Sequence, residues 1–83
     1  MTLHNVTVRV GDQVYLEGNP EEVGAVREVA RHHLIIYVEN GGDVQIDGPA
    51  VKAVHDGKVI LDPSKLDRSV LIAMRQAHQR ETD

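Results

Sequence analysis

Apolar and polar positions alternate along most of this chain, and the alternation is interrupted at glycine-containing turns. Val6, Val8 and Val10 are separated by Thr7 and Arg9, a period of two in β-branched residues that predicts a half-buried strand. After Gly11-Asp12, Val14 and Leu16 alternate with Gln13, Tyr15 and Glu17 and predict a second short strand. Gly18-Asn19-Pro20 then breaks the chain, and Glu21-Glu22 extends that loop. From Val23 to Ala30 the spacing of Val23, Val26, Val29 and Ala30 is helical. Gly24 and the density of valine favour a strand, however, with a bend or bulge near Gly24. Arg31-His32 is a turn. In His33–Glu39, Leu34, Ile36 and Val38 share one face while Ile35 and Tyr37 share the other, so the strand is apolar on both sides. Asn40-Gly41-Gly42 marks a hairpin, and Val44 and Ile46 the strand that follows. Pro49 to Val54 predicts one helical turn started by proline. Asp56-Gly57 is a turn, and Lys58 to Leu61 is the last strand.

The period changes after Leu61. Asp62-Pro63-Ser64 has the form of a helix start, with Asp62 as cap and Ser64 with Asp67 as a weak capping box. Leu66, Val70, Ala73, Met74 and Ala77 then fall on one face of an amphipathic helix, which Leu71 and Ile72 widen. The expected fold is mainly β. It is a small, strongly bent antiparallel sheet or barrel of five to six strands with one C-terminal helix. All of 1–83 forms one domain, with 1–61 as the body and 62–80 as the helix.

Composition sharpens this picture. The chain of 83 residues has no Cys, Trp or Phe and two Tyr, so its core must come from Val, Ile, Leu and Ala without covalent staples. A chain of this size buries roughly 60–65% of its surface on folding. Self-association is therefore a natural way to bury more. The net charge is −4, and all of the deficit lies before Asp62. A body of that sign repels phosphate and disfavours nucleic acid. No apolar run reaches the ~20 residues of a membrane span, and the first ten residues lack the form of a signal peptide. The expected location is the cytoplasm.

One segment has a distinctive rhythm. Val10-Gly11-Asp12-Gln13-Val14, then Gly18, then Val23-Gly24-Ala25-Val26 lead to the long strand. The Gly-Gly hairpin, Ile46-Asp47-Gly48-Pro49 and Asp56-Gly57-Lys58-Val59 follow. Over about residues 9–61 this resembles the PRC-barrel-like superfamily of small β-barrels. That family includes the cytoplasmic domain of a photosynthetic reaction-centre subunit, a domain of a ribosome maturation factor and many stand-alone bacterial proteins. The resemblance implies a protein-binding or scaffolding module, carries over no catalytic residue and implies no cofactor. The Gly18-to-Val23 loop and the C-terminal helix depart from the pattern. The same opening also resembles SH3-like barrels of the KOW type, which implies an RNA- or ribosome-associated module. Arg9, Arg27, Arg31 and Lys52 would then have to converge on one face.

The candidate chemistry is sparse. His4, His32, His33, His55 and His78 invite a histidine-dependent metal site. Yet His32 and His33 point to opposite faces if extended, and no Cys or H-E-x-x-H arrangement supports them. Ser64 and Ser69 lie at and within the helix without a nucleophile elbow. Glu21-Glu22 is a solvated pair, and no phosphate-binding glycine motif occurs. The expectation is a non-enzyme without metal.

What remains is surplus apolar surface. Ile35, Tyr37, Leu71, Ile72 and Met74 are the candidate partner-binding residues, for a protein partner or a second copy in a homodimer. The competing expectation is that the helix covers Ile35 and Tyr37 within the same chain.

Overall fold

The computed structural model describes residues 7–39 and 41–81, with side chains through Gln76. The described residues form six strands: β1 (Gln13–Leu16), β2 (Glu22–Val29), β3 (His33–Val38), β4 (Gly42–Asp47), β5 (Val51–His55) and β6 (Lys58–Leu61). Short 3₁₀ turns at Gly48–Ala50 and Pro63–Lys65 precede β5 and the helix α1 (Arg68–Glu81). The strands form one sheet in the order β4-β3-β2-β1-β6-β5. The mainly β fold with one C-terminal helix is as the alternation predicts. One pairing is of another kind: β1 and β6 run parallel, so the sheet is mixed.

Curvature follows from connectivity. The edge strands β4 and β5 are joined by Gly48–Ala50 alone. That link spans at most ~14 Å, whereas the edges of a flat six-stranded sheet would lie ~24 Å apart. The sheet must therefore curl until its edges approach at this corner. No ladder joins β4 to β5, and the barrel stays open.

Three register shifts supply the bend. β2 pairs with β1 through Glu22–Ala25 and with β3 through Ala25–Val29, so one long strand serves both halves of the curl. On its β1 side the ladder skips Val23, next to the glycine where a bulge is expected. On its β3 side it skips Arg27, and between β5 and β6 it skips Lys52.

The enclosed face carries the core: Val14, Leu16, Val23, Val26, Leu34, Ile36, Val38, Ile46, Ala50, Val59, Leu61 and Met74, all buried. The alternation thus chose the inward set on β1 and β3, whereas on β6 the consecutive apolar residues Val59, Ile60 and Leu61 left the choice of Val59 and Leu61 to the fold. Asp56 and Gly57 both take positive φ (49° and 77°), the two-residue turn whose twist suits the β5–β6 hairpin.

Four expectations change. Residues 7–10 form no strand, and Val6 lies outside the described residues. Asp12 draws this segment into a turn: its Oδ2 accepts from Arg9 N (2.9 Å) and its N donates to Arg9 O (3.0 Å). Val8 still packs on the core, while Val10 is 66% exposed. The helical turn expected over Pro49–Val54 stops at Ala50, because Val51 onward pairs with β6. Asp62 caps only the 3₁₀ turn, accepting from Ser64 N (2.9 Å) and Ser64 Oγ (2.7 Å). The α-helix begins five residues beyond Pro63, at Arg68. There the Asp67 carbonyl accepts from Val70 N and Leu71 N, so no Ser64–Asp67 box forms. Finally, α1 does not cover Ile35 and Tyr37. Met74 enters the core, and Ala73 packs against it with both Ala73 and Val38 beside Gly41, which places the helix on the side of Leu34, Ile36 and Val38. The hairpin residue Asn40 and the helix position Ala77 are outside what the side chains describe.

Candidate interaction surface

Cross-strand register builds the outer face of the sheet row by row, since paired residues share a face. In one row Tyr37 on β3 pairs with Ala25 on β2 and Asp43 on β4. In the next, Ile35 pairs with Glu28 and Gln45. The bulge that skips Arg27 sends Arg27 and Glu28 to the same side. The Arg27 guanidinium then lies 5.9 Å from the Tyr37 ring centroid, and its Nε lies 3.6 Å from Asp43 Oδ2. The result is a cation, an exposed aromatic and an anion side by side across β2, β3 and β4. Tyr37 is 43% exposed and Ile35 half-buried.

The other half of the curl repeats the aromatic–cation contact. Lys58 Nζ lies 5.8 Å from the Tyr15 ring centroid. Tyr15 Oη donates to Gln13 Oε1 and Gln13 Nε2 donates to Glu22 Oε1, both at 3.3 Å. Tyr15, Leu16, Gly18, Pro20, Lys58 and Ile60 form most of the wall of a surface cleft of about 330 Å³. At its rim Glu17 accepts a hydrogen bond from Lys52 Nζ, which raises the Lys52 pKa above its ordinary value.

The five residues singled out from the sequence are separated by the fold. Ile35 and Tyr37 meet on the outer face. Leu71 is half-buried against the core, Ile72 is 45% exposed on the helix, and Met74 is fully buried. Met74 therefore offers no surface to a partner. Of the four cations required by an RNA-binding reading, Arg27 faces Asp43 and Lys52 faces Glu17, while Arg9 and Arg31 are exposed. His32 and His55 are exposed and His33 is half-buried, while His4 and His78 lie outside the described side chains. No group of three or more His, Cys, Asp or Glu able to hold a metal ion occurs among the described residues. Among them, too, no helix is long and apolar enough to cross a membrane.

No family model, curated protein or solved structure matches this chain. Its own geometry therefore carries the functional reading. Arg27 and Asp43 are the surface residues that the sequence did not single out for a protein interface. Their signal was the register of β2–β3–β4, which local alternation does not contain.

Proposed function

We propose that this chain is a non-catalytic protein-interaction or scaffolding module of the PRC-barrel-like type, acting in the cytoplasm. Its binding face is the outer side of β2–β3–β4. The observation that carries this reading is the position of α1. With the helix on the inner side, Tyr37 stays exposed and Ile35 half-buried on β3, next to the edge strand β4 and beside Arg27. Tyrosine and arginine offer the chemistry enriched at interface centres, a large ring with a polar tip and a planar cation. Exposed aromatic surface of this kind gains free energy when a partner removes it from water.

The variant Tyr37→Asp tests the reading, by light scattering coupled to size exclusion, chemical cross-linking and far-UV circular dichroism. The exposed position should keep the native spectrum, while any complex made through this face weakens at least tenfold. A native spectrum with every complex intact would remove the outer face as the binding surface.

A further inference from the structure

We infer that the outer face of β2–β3–β4 binds a second copy of this chain, through a two-fold axis running along β3. The inference rests on the interaction-module reading and names its partner.

The order of charges across the face is the basis. Arg27 stands on β2, Tyr37 on the central β3 and Asp43 on β4. A two-fold axis parallel to β3, lying between two facing sheets, exchanges left and right but keeps each residue's height along the strand. It therefore sets Arg27 over Asp43 of the partner subunit, twice, and Tyr37 over Tyr37 of the partner subunit. The next row obeys the same rule. Ile35 meets Ile35 of the partner subunit, and the Glu28 carboxylate meets the amide of Gln45 of the partner subunit. A self-complementary patch of this type is what an isologous interface requires.

One further fact favours a second copy. The Arg27 and Asp43 side chains are 61% and 50% exposed, and their contact within the chain is long at 3.6 Å, so both keep hydrogen-bonding capacity for a partner. The alternative axis, perpendicular to the strands, would set Arg27 against Glu28 of the partner subunit instead.

Charge reversal separates these cases. In Arg27→Glu alone, the introduced carboxylate would face Asp43 of the partner subunit at both sites. In Asp43→Arg alone, two cations would face each other at both sites. Each variant should therefore dissociate at least tenfold more readily than wild type, with a native circular dichroism spectrum. An equimolar mixture of the two places opposite charges together at both sites and should recover the dimer mass. The double variant R27E/D43R keeps opposite charges within and between chains and should dimerise alone, which guards against loss of fold in a single variant. A wild-type chain that stays monomeric over a wide concentration range overturns the inference. Tyr37-dependent binding of a different protein would then keep the interaction-module reading alone. A wild-type dimer whose single variants do not recover on mixing overturns the β3 axis.

Discussion

Gly24 shows how one missing side chain shapes the molecule. The ladder between β1 and β2 skips Val23, which turns Val23 and Gly24 to the same side of the strand. Val23 fills the core, and the space beside it is taken by β3. A Cβ on residue 24 would lie within contact distance of the Tyr37 carbonyl oxygen and 3.1 Å from Ile36 Cγ2. A backbone carbonyl held in a ladder cannot yield as a side-chain tip can. Gly24→Ala should therefore lower stability by about 1–3 kcal/mol in equilibrium denaturation, the usual cost of overpacking. A change within a few tenths of a kcal/mol would mean that β3 shifts freely at this point. Sequence marked the glycine and the strand. The reason only glycine fits is the nearness of Tyr37, thirteen residues further along the chain.

At the scale of elements, the junction between β6 and α1 depends on Asp62. Its carboxylate accepts from the backbone and the hydroxyl of Ser64, and these bonds hold its pKa below the ordinary value; Lys52 and Lys65 add a smaller push in the same direction. A lowered folded-state pKa means that the unfolded chain binds the proton more readily. This stabilisation is therefore complete above the unfolded value of about 4 and is lost as pH falls through the folded value. Asp62→Asn keeps an acceptor but cannot titrate. The stability difference between wild type and Asp62→Asn should be constant from pH 7 to about pH 5 and shrink below about pH 4, measured by denaturation at each pH. A difference that stays level down to pH 2 would show that the Ser64 bonds do not depend on the charge. The same junction explains the early helix start expected from sequence. Asp62-Pro63-Ser64 does begin a helical turn, but the turn is 3₁₀ and closes at Leu66, where the backbone returns to extended geometry before α1.

The whole molecule is closed by contacts between distant parts of the chain. β1 and β6 pair in parallel, Val14 beside Val59 and Leu16 beside Leu61, although more than forty residues separate them. This pairing converts a meander and a hairpin into one sheet, and Met74 seals the enclosed side. The core contains no aromatic residue, so the apolar area per side chain is modest. A dimer through the Tyr37 face adds to it, and mass action then couples assembly to stability. The melting temperature should rise with protein concentration for wild type and become independent of concentration in Tyr37→Asp. Equal concentration dependence in the two proteins would place any self-association elsewhere.

Much of this architecture was legible in local pattern because strands and helices bury one side at a fixed period. Val14 and Leu16, and Leu34 with Ile36 and Val38, were identifiable as inward residues, and Asp56-Gly57 as a tight turn, from nearest neighbours alone. Local pattern could not say which strands pair, because hydrogen-bonded ladders join residues far apart in sequence. Val51–His55 therefore became a strand only by meeting β6, and the valines at 8 and 10 stayed outside the sheet. The apolar residues of α1 likewise held no information about which side of β3 they would cover. Tertiary structure decided that the helix takes the Leu34–Ile36–Val38 side, and with that it left Tyr37, Arg27 and Asp43 facing outward together.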